Sequence, residues 1–74
     1  MTAKELLLGM KIGEQKEIVF SNGILKSTKD LFRSELNEWE VDSHNCGWVT
    51  ARLDLETASG YLEGKIKAYE LDWE

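Results

Sequence analysis

Proline is absent from this 74-residue chain, and cysteine occurs once, as Cys46. A lone cysteine excludes an internal disulfide and fits a reducing compartment. No apolar run approaches the ~20 residues a membrane-spanning helix needs, and Leu6-Leu7-Leu8 is too short for a signal-peptide core. The expectation is a cytoplasmic protein with no membrane partner. Bases are also scarce, with nine Lys and Arg facing fourteen Asp and Glu, a net charge of −5 and a pI near 4.8. Phosphate backbones are gripped by clustered Lys and Arg, so direct nucleic-acid binding is disfavoured.

A hydrophobic share of 42% beside 31% charged residues is ordinary for a globular protein. Residues 1–74 have room for one small domain, whose core is modest unless a partner or a second copy covers part of it. The charge is uneven along the chain. Residues 1–33 carry a balance of +2 and residues 34–74 a balance of −7, so the negative field belongs to the C-terminal half, where it would steer a basic protein partner.

The period of the apolar residues assigns the elements. Thr2 and Glu5 have capping-box spacing and predict a short helix from Ala3 to about Leu8 or Met10, with Leu6, Leu7 and Met10 inward and Gly9 at its end. Lys16 to Phe20 reads as a strand. Asn22-Gly23 is a hairpin signal that would return the chain as a strand through Ile24, Leu25 and Lys26. A helical stripe of Ile24, Leu25, Thr28, Leu31, Phe32, Glu35 and Leu36 competes with it and is preferred. On either reading Ser27 to about Glu38 is helical. Glu38 to Asp42, with Trp39 and Val41 inward, and Trp48 to Glu56 read as strands around the turn-like Ser43–Gly47. Leu62, Gly64, Ile66 and Ala68 alternate with Tyr61, Glu63, Lys65, Lys67 and Tyr69, giving a last strand after a turn at Thr57-Ala58-Ser59-Gly60. Gly60 is read as a turn residue and Gly64 as a place where a helix packs closely.

The fold expected is therefore α+β: a short N-terminal helix, a strand, a second helix and a three-stranded antiparallel meander, with the helices on one face of the sheet. The alternation reverses at Tyr69. A bulge or the end of regular pairing explains this; a regular strand would instead expose Tyr61, Tyr69, Leu71 and Trp73.

Few residues suggest chemistry. His44 and Cys46, with Asp42 nearby, offer one imidazole, one thiol and a carboxylate, short of the four ligands a structural zinc site uses. As nucleophile and base they lack a pocket and a rigid support. Carboxylates two apart, Glu38 with Glu40 and Asp54 with Glu56, share a strand face without a cleft between them. No catalytic, metal or cofactor site is expected. Trp48, Tyr61, Tyr69 and Trp73 instead suggest aromatic anchors, and Glu38, Glu40, Asp42, Asp54 and Glu56 an acidic surround.

In size, acidity and α+β layout the chain resembles, as a class, the small proteins with which phages and mobile elements block host enzymes, nucleic-acid mimics and anti-CRISPR proteins among them. That resemblance implies a non-enzymatic inhibitor of a host protein with a basic, nucleic-acid-binding surface. The alternatives are a homo-oligomeric assembly protein that pairs sheet edges or buries its tail, and a small metal or thiol protein centred on His44 and Cys46.

Overall fold

The computed structural model describes residues 2–21, 26–43 and 49–74. Helix α1 (Ala3–Leu8) is followed by strands β1 (Gln15–Ser21), β2 (Lys26–Glu35), β3 (Glu38–Ser43) and β4 (Val49–Leu53), then helix α2 (Leu55–Leu62) and a 3-10 turn at Ala68–Glu70. The strands form one antiparallel sheet in the order β1-β2-β3-β4. The α+β class stands, with four strands in place of three in the sheet.

Helix α1 starts as its cap predicts, the Thr2 hydroxyl accepting from the Glu5 amide at 3.1 Å. Six residues of helix do not hold in water alone, and α1 is stabilised by burying Ala3 and Leu7 against the core. Strand β1 forms where it is expected, and β3 and β4 follow the period of two expected of them, although β4 ends at Leu53, short of the expected Glu56. Ile18, Val41, Ala51 and Leu53 turn inward with Trp39, whose side chain is fully buried.

Two expectations are corrected. The segment predicted as a helix from Ser27 to about Glu38 is strand β2 with the turn that follows it. Its register sets Leu31 opposite Lys16 and Phe32 opposite Gln15, so Leu31 and Arg33 point inward while Asp30 and Phe32 point outward. Of the contested Ile24 to Lys26, Lys26 opens β2; Ile24 and Leu25 lie outside the described residues. The second correction concerns Thr57–Gly60, which is the middle of α2 and not a turn, so the strand expected from Leu62 does not form. Asp54 starts this helix by accepting from the Thr57 amide at 2.8 Å. Ala58, Ser59 and Leu62 are then buried along one stripe of it, with Leu55 half-buried beside them.

The two glycines exchange their expected roles. Gly60 is helical, and a Cβ there would stand 2.7 Å from Ile66 Cδ1. Gly64 takes a positive φ of 79° just beyond α2, a conformation that side chains strain. The chain then returns to the core through Ile66, Leu71 and Trp73. The reversal of alternation at Tyr69 is thus the end of regular pairing. Leu71 is buried, and Trp73 forms an isolated bridge to Ala51 on the outer edge of β4.

Both helices lie on one face of the sheet, and Arg33 locks α1 there. Its Nη1 donates to the carbonyls of Leu8 (3.2 Å) and Met10 (2.5 Å), and its Nη2 to the carbonyl of Leu36 in the β2–β3 turn (2.6 Å). The guanidinium also lies 5.0 Å from the centroid of the Trp39 ring. Arg33→Ala should therefore lower the unfolding free energy by about 3 kcal/mol, because three carbonyls lose a charged donor and a stacked side chain is deleted. Urea denaturation measures this; a loss under about 1 kcal/mol would show that the carbonyls find other donors.

Candidate functional site

Among the described residues, helices α1 and α2 leave the other face of the sheet open, and strand register decides what that face carries. Because Ile18, Leu31, Trp39 and Ala51 point inward, the intervening residues point out. These include Glu17 and Val19 on β1, Asp30 and Phe32 on β2, Glu38, Glu40 and Asp42 on β3, and Thr50 and Arg52 on β4. Five carboxylates thus share one surface with the guanidinium of Arg52.

Arg52 lies among several acids, its Nε 3.5 Å from Glu40 and 3.8 Å from Glu38, and its Nη1 4.0 Å from Glu74. One cation shared among three carboxylates, Glu74 exposed and Glu38 and Glu40 half-buried, cannot neutralise all of their charge. Asp42 accepts from the Thr50 hydroxyl at 2.9 Å, and Glu38 from the Ser34 hydroxyl at 2.7 Å. Elsewhere the register opposes like charges, Glu17 facing Asp30 across β1 and β2, and Glu35 facing Glu38 across β2 and β3. Directly opposed like charges destabilise a sheet. Half-buried Phe32 lies amid these acids.

The expected acidic residues divide into two groups. Glu38, Glu40 and Asp42 come together on the open face. Asp54 and Glu56 do not, since one caps α2 and the other pairs with Lys4 at 2.6 Å beside α1. The aromatic set also disperses. Tyr61 is buried on α2, with the Lys29 ammonium 4.4 Å from its ring centroid, and burial pushes its phenol above the ordinary value of 10.0. Trp73 is half-buried and donates its indole N–H to the Ala68 carbonyl at 2.8 Å. Tyr69 is 83% exposed in the 3-10 turn, away from the sheet. Trp48, His44 and Cys46 lie outside the described residues. Asp30 and Phe32 were missed because residues 27–38 read as a helix, and Glu17, on a strand that was expected, because without β2 as a strand nothing joined it to the acidic face; the alternation of Leu31 with Asp30 and Phe32 was the available signal.

A cleft of about 530 Å³ lies between α1 and α2, but its charged residues pair locally, Lys4 with Glu56 and Lys65 with Glu63. The Ser59 hydroxyl beside it donates to the Leu55 carbonyl. Among the described residues no helix is long and apolar enough to cross a membrane. Comparison with family profiles, with curated proteins and with solved structures returns no match to this chain.

The capping role of Asp54 has a pH signature. Its side-chain and backbone hydrogen bonds with Thr57 hold its carboxyl below the ordinary value of 3.8. A carboxyl whose pKa is depressed on folding contributes stability above its unfolded pKa and loses it as pH falls through the folded one. Asp54→Ala should cost about 1 kcal/mol at neutral pH, and the gap from wild type should shrink below pH 3.8. Thermal melts between neutral pH and pH 2 measure it; a gap constant across that range would remove the charged cap from the explanation.

Proposed function

We propose that this protein is a non-enzymatic binding module that inhibits or modulates a protein partner, and that the open acidic face of its sheet makes the contact. The observation that carries the reading is the asymmetry of the sheet. One face is covered by helices, while the other concentrates Glu17, Asp30, Glu38, Glu40 and Asp42 beside Arg52. A fold gains nothing from setting Glu17 against Asp30, whereas a basic partner surface relieves that repulsion and is steered by the same field. Nucleic-acid-binding grooves are basic surfaces of this kind. The setting this suits is a phage or mobile-element inhibitor of a host nucleic-acid-binding or defence protein, acting in the cytoplasm.

Homo-oligomerisation has one observation in its favour. The outer edge of β4 is closed by the Trp73 bridge and by the Glu74 amide donating to Thr50, while β1 is the other edge of the sheet. An open edge is a template for strand addition. Light scattering at micromolar concentration separates the two readings: a monomer supports the binding module, and a dimer that Val19→Lys dissolves supports edge pairing.

The direct test is a pull-down from host lysate at low and high salt, followed by kinetics on the captured protein. The expected catch is a basic, nucleic-acid-binding protein released by salt. Combined Glu38→Gln, Glu40→Gln and Asp42→Asn substitution should slow its association about tenfold or more at low ionic strength, with little change in melting temperature. An association rate that ignores both the substitutions and the salt would defeat the steering role of this face.

A further inference from the structure

Phe32 has an aromatic ring where a solvated sheet face ordinarily carries a polar side chain, and its surroundings narrow what can cover it. Gln15 stands opposite it on β1 and Glu40 opposite it on β3. Asp30 and Asp42 lie two residues further along β2 and β3 from this pair. Gln15, Asp30, Phe32, Glu40 and Asp42 together line a cleft of about 140 Å³. The cleft thus has an aromatic ring and an amide within a frame of carboxylates.

The geometry discriminates among cations. Residues two apart on a strand are separated by roughly 7 Å, and among the described residues no three potential ligands are grouped so as to hold a metal ion. The π-face of an aromatic ring attracts an organic cation. A guanidinium is wide and planar, so it stacks on a ring and forks to carboxylates on either side at once, whereas the ammonium of lysine is a compact point charge. The molecule itself sets both kinds of cation over a ring, Arg33 over Trp39 and Lys29 over Tyr61, so the choice between them falls to the flanking carboxylates, which the guanidinium fork can bridge. The acids of the cleft differ in what they already hold. Glu40 is engaged by Arg52 and Asp42 by the Thr50 hydroxyl, while Asp30 has no ion-pair partner among the described residues.

We propose that the Phe32 cleft is an arginine-reading pocket, in which one arginine side chain of a basic protein partner stacks on Phe32 and bridges the carboxylates of Asp30 and Asp42. The assignment rests on the acidic-face reading and names the residue type that face selects. It separates a partner that presents arginine from one that presents the same charge as lysine.

The test uses two probes of equal charge, acetylated and amidated tetra-arginine and tetra-lysine peptides, titrated into the isotope-labelled full chain at low salt. The arginine peptide should bind about fivefold more tightly. Its largest chemical-shift changes should fall on the Phe32 ring and the amides of Asp30 and Asp42. Phe32→Leu should bring the arginine affinity down to the lysine value and leave the lysine peptide unchanged. Asp30→Asn, at an exposed position remote from the core, should reduce the arginine preference in a chain whose folding is not in question. Equal, salt-sensitive binding of both peptides to the open face overturns the arginine pocket and leaves the acidic-face reading standing. Binding of neither peptide overturns both.

Discussion

A buried guanidinium without a carboxylate partner among the described residues holds this fold together. Arg33 is 6% exposed, and a charge taken out of water has to be compensated where it lies. Carbonyls supply the compensation. Those of Leu8 and Met10 lie at the C-terminal end of α1, where unpaired carbonyls and the helix dipole present negative potential, and that of Leu36 belongs to the β2–β3 turn. One side chain thus satisfies a helix end, fixes a hairpin turn and packs on Trp39. Its backbone adds to the clamp, the carbonyl accepting from Gly13 at 2.7 Å and the amide donating to Glu14 at 2.9 Å. The arrangement carries a cost as well, because Arg33 Nε and Trp39 Nε1 are buried without acceptors.

With α1 fixed by Arg33 and α2 started by Asp54, the helical cover among the described residues falls on one side of a four-stranded sheet. A chain of 74 residues has too little helix to cover both faces, and antiparallel sheets tolerate water on one of them. An open face needs polar residues, but it does not need them to be of one sign. Mixed charges would gain cross-strand pairs, as Glu40 and Arg52 do, whereas Glu17 opposite Asp30 loses them. The excess of acid is therefore a departure from what the fold alone rewards, and such departures concentrate where a protein meets something else.

The sequence was legible where local pattern and tertiary role agree. Thr2 caps α1, and the period of two marks β3 and β4, because in both of these the inward residues are apolar and the outward ones polar. It misled in two places, for different reasons. In α2 the apolar alternation of Val49, Ala51 and Leu53 runs on to Leu55, which already belongs to the helix, so two periods share a residue. Thr57-Ala58-Ser59-Gly60 has the composition of a turn, and only the cap at Asp54 and the spacing of Leu55, Ala58, Ser59 and Leu62 betray a helix. In β2 the polarity itself is inverted, a charged residue pointing in and an aromatic one pointing out. With Arg33 and Phe32 exchanged in hydrophobic character, Leu31, Phe32, Glu35 and Leu36 imitate a helical stripe. The acidic character of the site was legible from Glu38, Glu40 and Asp42; its centre at Phe32 and Asp30 was not.

That inversion is one event and not two. Successive side chains on a strand point to opposite faces, so turning Arg33 inward to reach the end of α1 obliges Phe32 to turn outward. A shift of β2 by one residue would bury Phe32, a conventional core residue, but it would also expose Leu31, take the guanidinium from the carbonyls of Leu8, Met10 and Leu36, and remove the aromatic floor from the acidic cleft. The residue that anchors the helix layer and the residue at the centre of the open face are adjacent in sequence and fixed by the same register. The stability of the fold and the shape of its candidate binding surface therefore depend on one strand phase, and selection for either preserves the other.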